Sequence, residues 1–193
     1  MGRTVPKASR KPRADALRNR ERLLDAAKRV FAGGASDASL DAVAREAGVG
    51  IATLYRHFPT REALYEAVYR REVDELVALA DGLAGVPDSV AGLRRWLRAM
   101  IDLVATKKGM VAALAISVDA KSAVSARMSK RLAGALGALL DRAIAEKRIR
   151  RDVSGEEMLL ALVGMCILRD QPDWREGAVK MADVLVDGMM VKK

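Results

Sequence analysis

The sequence predicts an all-α protein of about nine helices, on three observations. Apolar residues recur at steps of three and four, and no strand-like alternation is present. Alanine, with 34 residues, and leucine dominate the composition, and both are strong helix formers. Glycine, proline and capping residues punctuate the chain at roughly one-helix intervals. With 193 residues, 51% of them apolar, the chain can bury a real core in one large domain or two smaller ones. Its longest apolar run, residues 158–168, falls short of the roughly 18 residues of a membrane helix. The basic N-terminus lacks the apolar stretch of a secretory signal, so a cytoplasmic protein with no membrane partner is expected. Cys166 and His57 are each the only residue of their type, which excludes a Cys/His metal cluster within one chain. Neither metal nor cofactor is expected.

The elements follow in order. Residues 1–14, with Gly2, Pro6 and Pro12, read as a disordered basic arm. A first helix spans about 15–31, with Leu23, Leu24, Ala27, Val30 and Phe31 on one face and Gly33-Gly34 as its stop. Ser39 opens a short second helix that ends at Gly48, and a third short one covers about 50–58. Pro59 breaks the chain, and Thr60 caps a fourth helix over 60–80. After a Gly/Pro linker at 83–87, Asp88 caps a fifth helix, and a sixth is expected at 108–118. The seventh spans about 122–147. Ser154 with Glu157 fits a capping box for the eighth, and the ninth follows Gln171-Pro172-Asp173 to about residue 190. The domain reading is an arm (1–14), a first unit (15–59) and a larger second unit (60–193) joined by helix 60–80.

The charge distribution fits a polyanion partner or a solubilising tail. Residues 1–22 hold eight basic side chains against Asp15 and Glu21, so most of the net +9 sits at one end. The stretch 39–65 supplies the reader. Two short helices about a Gly48-Val49 turn form a helix-turn-helix, with Gly48 taking a left-handed conformation that would strain a residue bearing a Cβ. Val49 tucks between the helices, and Leu54 and Phe58 face the first helix. Ile51, Ala52, Thr53, Tyr55 and Arg56 are left outside, on a face that fits a major groove about 12 Å wide. His57 has no Ser/Asp arrangement around it, so the chain is not read as an enzyme.

The residues from Leu40 through Gly48, Thr53-Leu54-Tyr55-Arg56-His57-Phe58 and Glu62-Ala63-Leu64 resemble the signature of the TetR (TetR/AcrR) family of bacterial transcriptional regulators. Arg20 to Ala27 and Phe31 are similar to that family's first helix, and the likeness covers about residues 20–68. The resemblance implies that Ile51, Ala52 and Thr53 sit at base edges. Tyr55, His57, Ser39 and Arg61 would contact phosphates, and Arg20 joins the DNA-facing set. Gly50 departs from the family's usual Ser or Thr and supplies no hydroxyl. Ile51 replaces a position often polar, and contacts a thymine methyl or packs against the backbone.

The second half reads as assembly and sensing. The eighth helix is apolar nearly all round, so one face is expected inward and the other against a second copy. Met158, Leu162, Val163 and Cys166, with Met181, Leu185 and Met189 of the ninth helix, are the expected homodimer contacts, in line with the family's usual four-helix interface. The resemblance further implies a cavity for a small-molecule effector, with Trp96, Met100, Leu103, Met110, Leu114, Met128 and Ser117 as its expected lining. These readings combine into a repressor that binds a palindromic double-stranded DNA operator as a dimer and leaves it when a largely apolar effector binds.

Overall fold

A computed structural model describes residues 10–32, 38–116, 123–168 and 173–191. They form eight helices: α1 (Arg10–Ala32), α2 (Leu40–Glu46), α3 (Ile51–His57), α4 (Arg61–Leu83), α5 (Ser89–Leu114), α6 (Ala123–Ala145), α7 (Gly155–Ile167) and α8 (Trp174–Met189). The all-α class is as expected, but the count is eight, not nine. Residues 1–9, Gly33-Gly34, Ser117 and Gln171-Pro172 lie outside the described residues, and with them the expectations placed there.

Local chemistry sets most helix ends. The Ser39 Oγ accepts from the Ala42 N–H at 3.1 Å, and the Thr60 Oγ1 accepts from Ala63 at 3.1 Å. Asp88 accepts from Val90 and Ala91 at 3.0 and 3.1 Å. Ser154 and Glu157 complete the capping box, at 3.2 Å to the Glu157 N–H and 2.8 Å from the Ser154 N–H. Two boundaries differ from expectation. Helix α1 starts at Arg10, five residues early, and Pro12 is compatible with this because it falls in the first turn, where no backbone N–H is needed.

The expected fifth and sixth helices are one continuous α5. Gly109 falls where the first expected helix gives way to the second, and it sits inside α5 closely packed against α1. A Cβ there would stand 2.0 Å from the Phe31 carbonyl oxygen. The glycine lets α5 pass directly against the last turn of α1. The Thr106 hydroxyl donates to the Asp102 carbonyl at 3.2 Å, one turn back, so its hydrogen bond is satisfied within the helix.

Two apolar cores result. One, built from α1–α4, contains Leu23, Phe31, Val43, Leu54, Phe58 and Leu64 and also takes Met110, Leu114 and Ile116 from the far end of α5. The other gathers the inner faces of α4–α8 around Leu93, Trp96, Leu97 and Leu136. Trp96 is fully buried, and its indole N–H donates to the Leu76 carbonyl at 2.9 Å. Arg94 ties α5 to α8 through Asp183 at 2.7 Å. Gly155 lets α7 cross α6 closely, since a Cβ would meet the Ala133 carbonyl at 2.6 Å.

Gly109→Ala is expected to destabilise the protein by about 1–3 kcal/mol through overpacking against α1. Gly134→Ala, on an open face of α6 with nothing within 4 Å of the new methyl, should instead stabilise by about 0.5–1 kcal/mol. Urea unfolding midpoints check the opposite signs.

Candidate nucleic-acid interface and interior cavity

Helices α2 and α3 are seven residues each, too short to persist alone, and hold their shape through α1 and the turn between them. Gly48 has φ +65°, the left-handed conformation the sequence called for. The Gly48 and Val49 N–H groups donate to the Arg45 and Ala44 carbonyls, both at 3.0 Å, closing α2. The Arg22 guanidinium lies over this turn, 2.6 Å from where a Gly48 Cβ would stand. Leu54 and Phe58 are buried against α1, and Arg20 covers the Phe58 ring at 5.1 Å.

This anchoring leaves the other face of α3 outward. Ala52, Tyr55 and Arg56 are exposed, Tyr55 by 46%, while Thr53 and His57 are half-buried. Gly50 is the N-cap and has open space where a Cβ would stand. Ile51 is half-buried against the N-terminal core. Arg61, expected at a phosphate, also has a partner within the chain. Its Nη1 donates to the Leu114 carbonyl at 3.0 Å, closing the C-terminal end of α5, which arrives beside it through tertiary packing.

Helix α4 is held to α1 by ion pairs. Lys28 Nζ lies 2.7 Å from Glu72 Oε1 and 2.8 Å from Glu75 Oε2, while Arg71 bridges Asp25 and Glu75. Burial raises the Glu72 carboxyl above the usual range, and the Lys28 ammonium offsets only part of that. Burial works to lower the Lys28 ammonium, but its bonds to Glu72 and Glu75 outweigh it and hold the group raised.

A cavity of about 530 Å³ lies among α4, α5, α6 and α7. Met100 and Leu103 line it, as expected. Trp96 and Met128 do not; both fill the core among the helices. Met110 and Leu114 stand further along α5, toward its C-terminal end, inside the N-terminal core. Sequence reasoning missed Tyr69, Lys107, Lys108 and Leu132 in this wall. The signal available was the Lys107-Lys108 pair interrupting an apolar helix.

The outward stripe of α7 and α8 also differs from the one expected. Met158, Leu162 and Cys166, on one i, i+4 stripe of α7, are buried in the chain's own core, and so is Met189 of α8. Burial raises the Cys166 thiol to about 11, so it behaves as a small apolar side chain. Val163 lines the cavity, and Leu185 is half-buried. The exposed apolar residues are Leu160 (74%), Ile167, Leu168 (87%), Met181 and Val184. Gly164 and Gly188 beside them have open space above.

A glycine-turned pair of short helices on a packed three-helix base, joined to a larger helical unit, defines a helix-turn-helix DNA-binding regulator. Residues 23–68 match the family described as bacterial regulatory proteins, tetR family, and residues 88–191 match the SbtR-like transcriptional regulator C-terminal domain. A TetR transcriptional regulator of Streptomyces coelicolor is 41% identical, with a TM-score of 0.75 over 90% of this chain and 99% of that one. A TetR transcription regulatory protein of Mycobacterium vanbaalenii is 32% identical, with a TM-score of 0.68 over 93% and 99%. An HTH-type transcriptional regulator of Staphylococcus aureus strain USA300 is 38% identical over 63 residues, 32% of this chain and 34% of that protein. The chain thus spans about a third of the length of the curated relatives it matches. It belongs to the TetR family of transcriptional regulators. No helix among the described residues is long and apolar enough to cross a membrane.

Lys28→Met strands the buried Glu72 carboxylate and is expected to destabilise by about 1–3 kcal/mol, less than for a wholly buried pair because Lys28 is half-exposed. Adding Glu72→Gln should recover part of the loss, as a chemical-denaturation double-mutant cycle will read.

Proposed function

We propose that the protein is a ligand-responsive repressor, binding a palindromic operator as a homodimer in the cytoplasm and released by a small, largely apolar effector. The observation that carries this reading is the double role of α5. The middle of the helix lines the cavity at Met100, Leu103 and Lys107, and its C-terminal end buries Met110 and Leu114 in the DNA-binding core. Any ligand that moves α5 moves the base on which α3 stands. Shifting the population from 99:1 to 1:99 requires about 5.5 kcal/mol of differential binding, and operator DNA then weakens ligand binding reciprocally.

On DNA, Thr53 and Ala52 meet base edges, with Ile51 supporting them from its half-buried position. Tyr55, His57 and Ser39 hold phosphates, which position the protein without selecting sequence. The Ser39 oxygen accepts from the Ala42 N–H, leaving its hydroxyl proton for a phosphate oxygen. Arg20 covers Phe58 and adds positive charge near the backbone. Arg61 serves through its bond to Leu114, linking α4 to the end of α5. The dimer forms across the exposed stripe of α7 and α8, placing two recognition helices about one DNA turn, about 34–36 Å, apart.

Selection from random DNA tests the reading as a whole: a palindrome should be enriched, whereas a nonspecific DNA binder would enrich none. On the selected site, Tyr55→Phe and His57→Ala should weaken binding to all sequences alike, while Thr53→Ala should change preference at one or two positions per half-site. Binding should fall steeply with salt. Leu160→Glu or Val184→Glu should split the dimer in sedimentation, since an unpaired charge in an apolar interface costs several kcal/mol. Operator binding should fail with it, and a monomer that bound the full site as tightly would overturn the dimer model.

A further inference from the structure

The cavity wall is apolar at Met100, Leu103, Val104, Leu132 and Leu159, yet two lysines enter it and no acidic side chain does, among the described residues. The two lysines are differently employed. Lys108 donates to the Cys166 carbonyl at 3.2 Å, in the last turn of α7, and stands 4.7 Å over the Trp174 ring. That carbonyl end of a helix favours a cation, so Lys108 has a structural task. Lys107 is half-buried and faces the Tyr69 ring, its ammonium 5.0 Å from the ring centroid. Glu72 borders a small crevice on the Lys107 side, but its carboxylate is bridged by Lys28 at 2.7 Å. Burial holds the Lys107 ammonium below the usual lysine range, with no carboxylate opposing it among the described residues.

A partly desolvated ammonium on the face of an aromatic ring still has donors for an anionic oxygen, and such a charge is costly to bury unpaired. A neutral ligand filling the cavity would remove water from it and return nothing. A cationic ligand would be repelled. We propose that the cavity selects an amphipathic monoanion of the carboxylate type. Its head pairs with Lys107, and its apolar body lies along Met100, Leu103, Leu132 and Leu159. A volume of about 530 Å³ suits a ligand of modest size, within the range of about 300–1,000 Å³ for small-molecule sites. This inference rests on the effector reading above and adds to it the charge of the ligand.

The probes are decanoate, decan-1-ol and decyltrimethylammonium, titrated calorimetrically below their micelle concentrations into the full-length protein. Decanoate is expected to bind about tenfold or more tightly than the alcohol, with the ammonium compound weakest. Lys107→Met should bring decanoate and decanol within about threefold of each other while leaving decanol binding unchanged, and Lys107→Arg should keep the preference. Equal binding of decanoate and decanol by the wild type overturns the inference, as does a preference that survives Lys107→Met. Failure of all three probes to bind overturns it as well. Displacement from the selected operator is measured separately. Decanoate bound through Lys107 without DNA release would keep the anion site and overturn the effector reading instead.

Discussion

The contact on which the rest of this molecule depends is the passage of α5 against the end of α1, where Gly109 meets the Phe31 backbone. A side chain at 109 would force the two helices apart. Without that close approach, Met110 and Leu114 could not reach the core of the helix-turn-helix, and Arg61 would have no Leu114 carbonyl to close. The N-terminal core therefore borrows part of its interior from the larger unit. Two seven-residue helices gain a rigid base in this way, which they could not build from their own apolar surface.

The same arrangement explains why the outward surfaces are where they are. Leu54 and Phe58 take the inner side of α3, so Ala52, Tyr55 and Arg56 stay outside. Met158, Leu162 and Cys166 take the inner side of α7, so Leu160, Ile167 and Leu168 remain uncovered. In each helix the buried stripe is chosen by its neighbours, and the exposed stripe is what is left. The ion pairs of Lys28 and Arg71 then hold α4 to α1, giving the connecting helix a defined seat beside the DNA-reading unit.

How much was legible in the sequence depends on the range of the interaction concerned. Caps act over three residues, so Ser39, Thr60, Asp88 and the Ser154-Glu157 box could be read directly. Gly48 was legible because a left-handed turn is a property of one residue's backbone. Leu54 and Phe58 followed from helical spacing. Gly109 was not legible: locally it looks like a breaker, and only the nearness of Phe31, 78 positions earlier, makes it a helix-interior residue. The cavity wall failed similarly. Met110 and Leu114 lie on the same apolar helix as Met100 and Leu103, and spacing alone does not tell which neighbour each turn of that helix will meet.

The sequence by itself determined the helical class, the position of the turn, the capped helix starts and the family, because these rest on local geometry and on short motifs. Tertiary structure decided that two expected helices are one, and that Arg61 is turned toward Leu114. It also chose which stripe of α7 faces outward and brought Lys107 to the wall of an apolar cavity. An amphipathic period says that a helix has an inside. Which side becomes the inside is settled only when distant helices compete to cover the same surface, since burial rewards area removed from water regardless of which residues supply it.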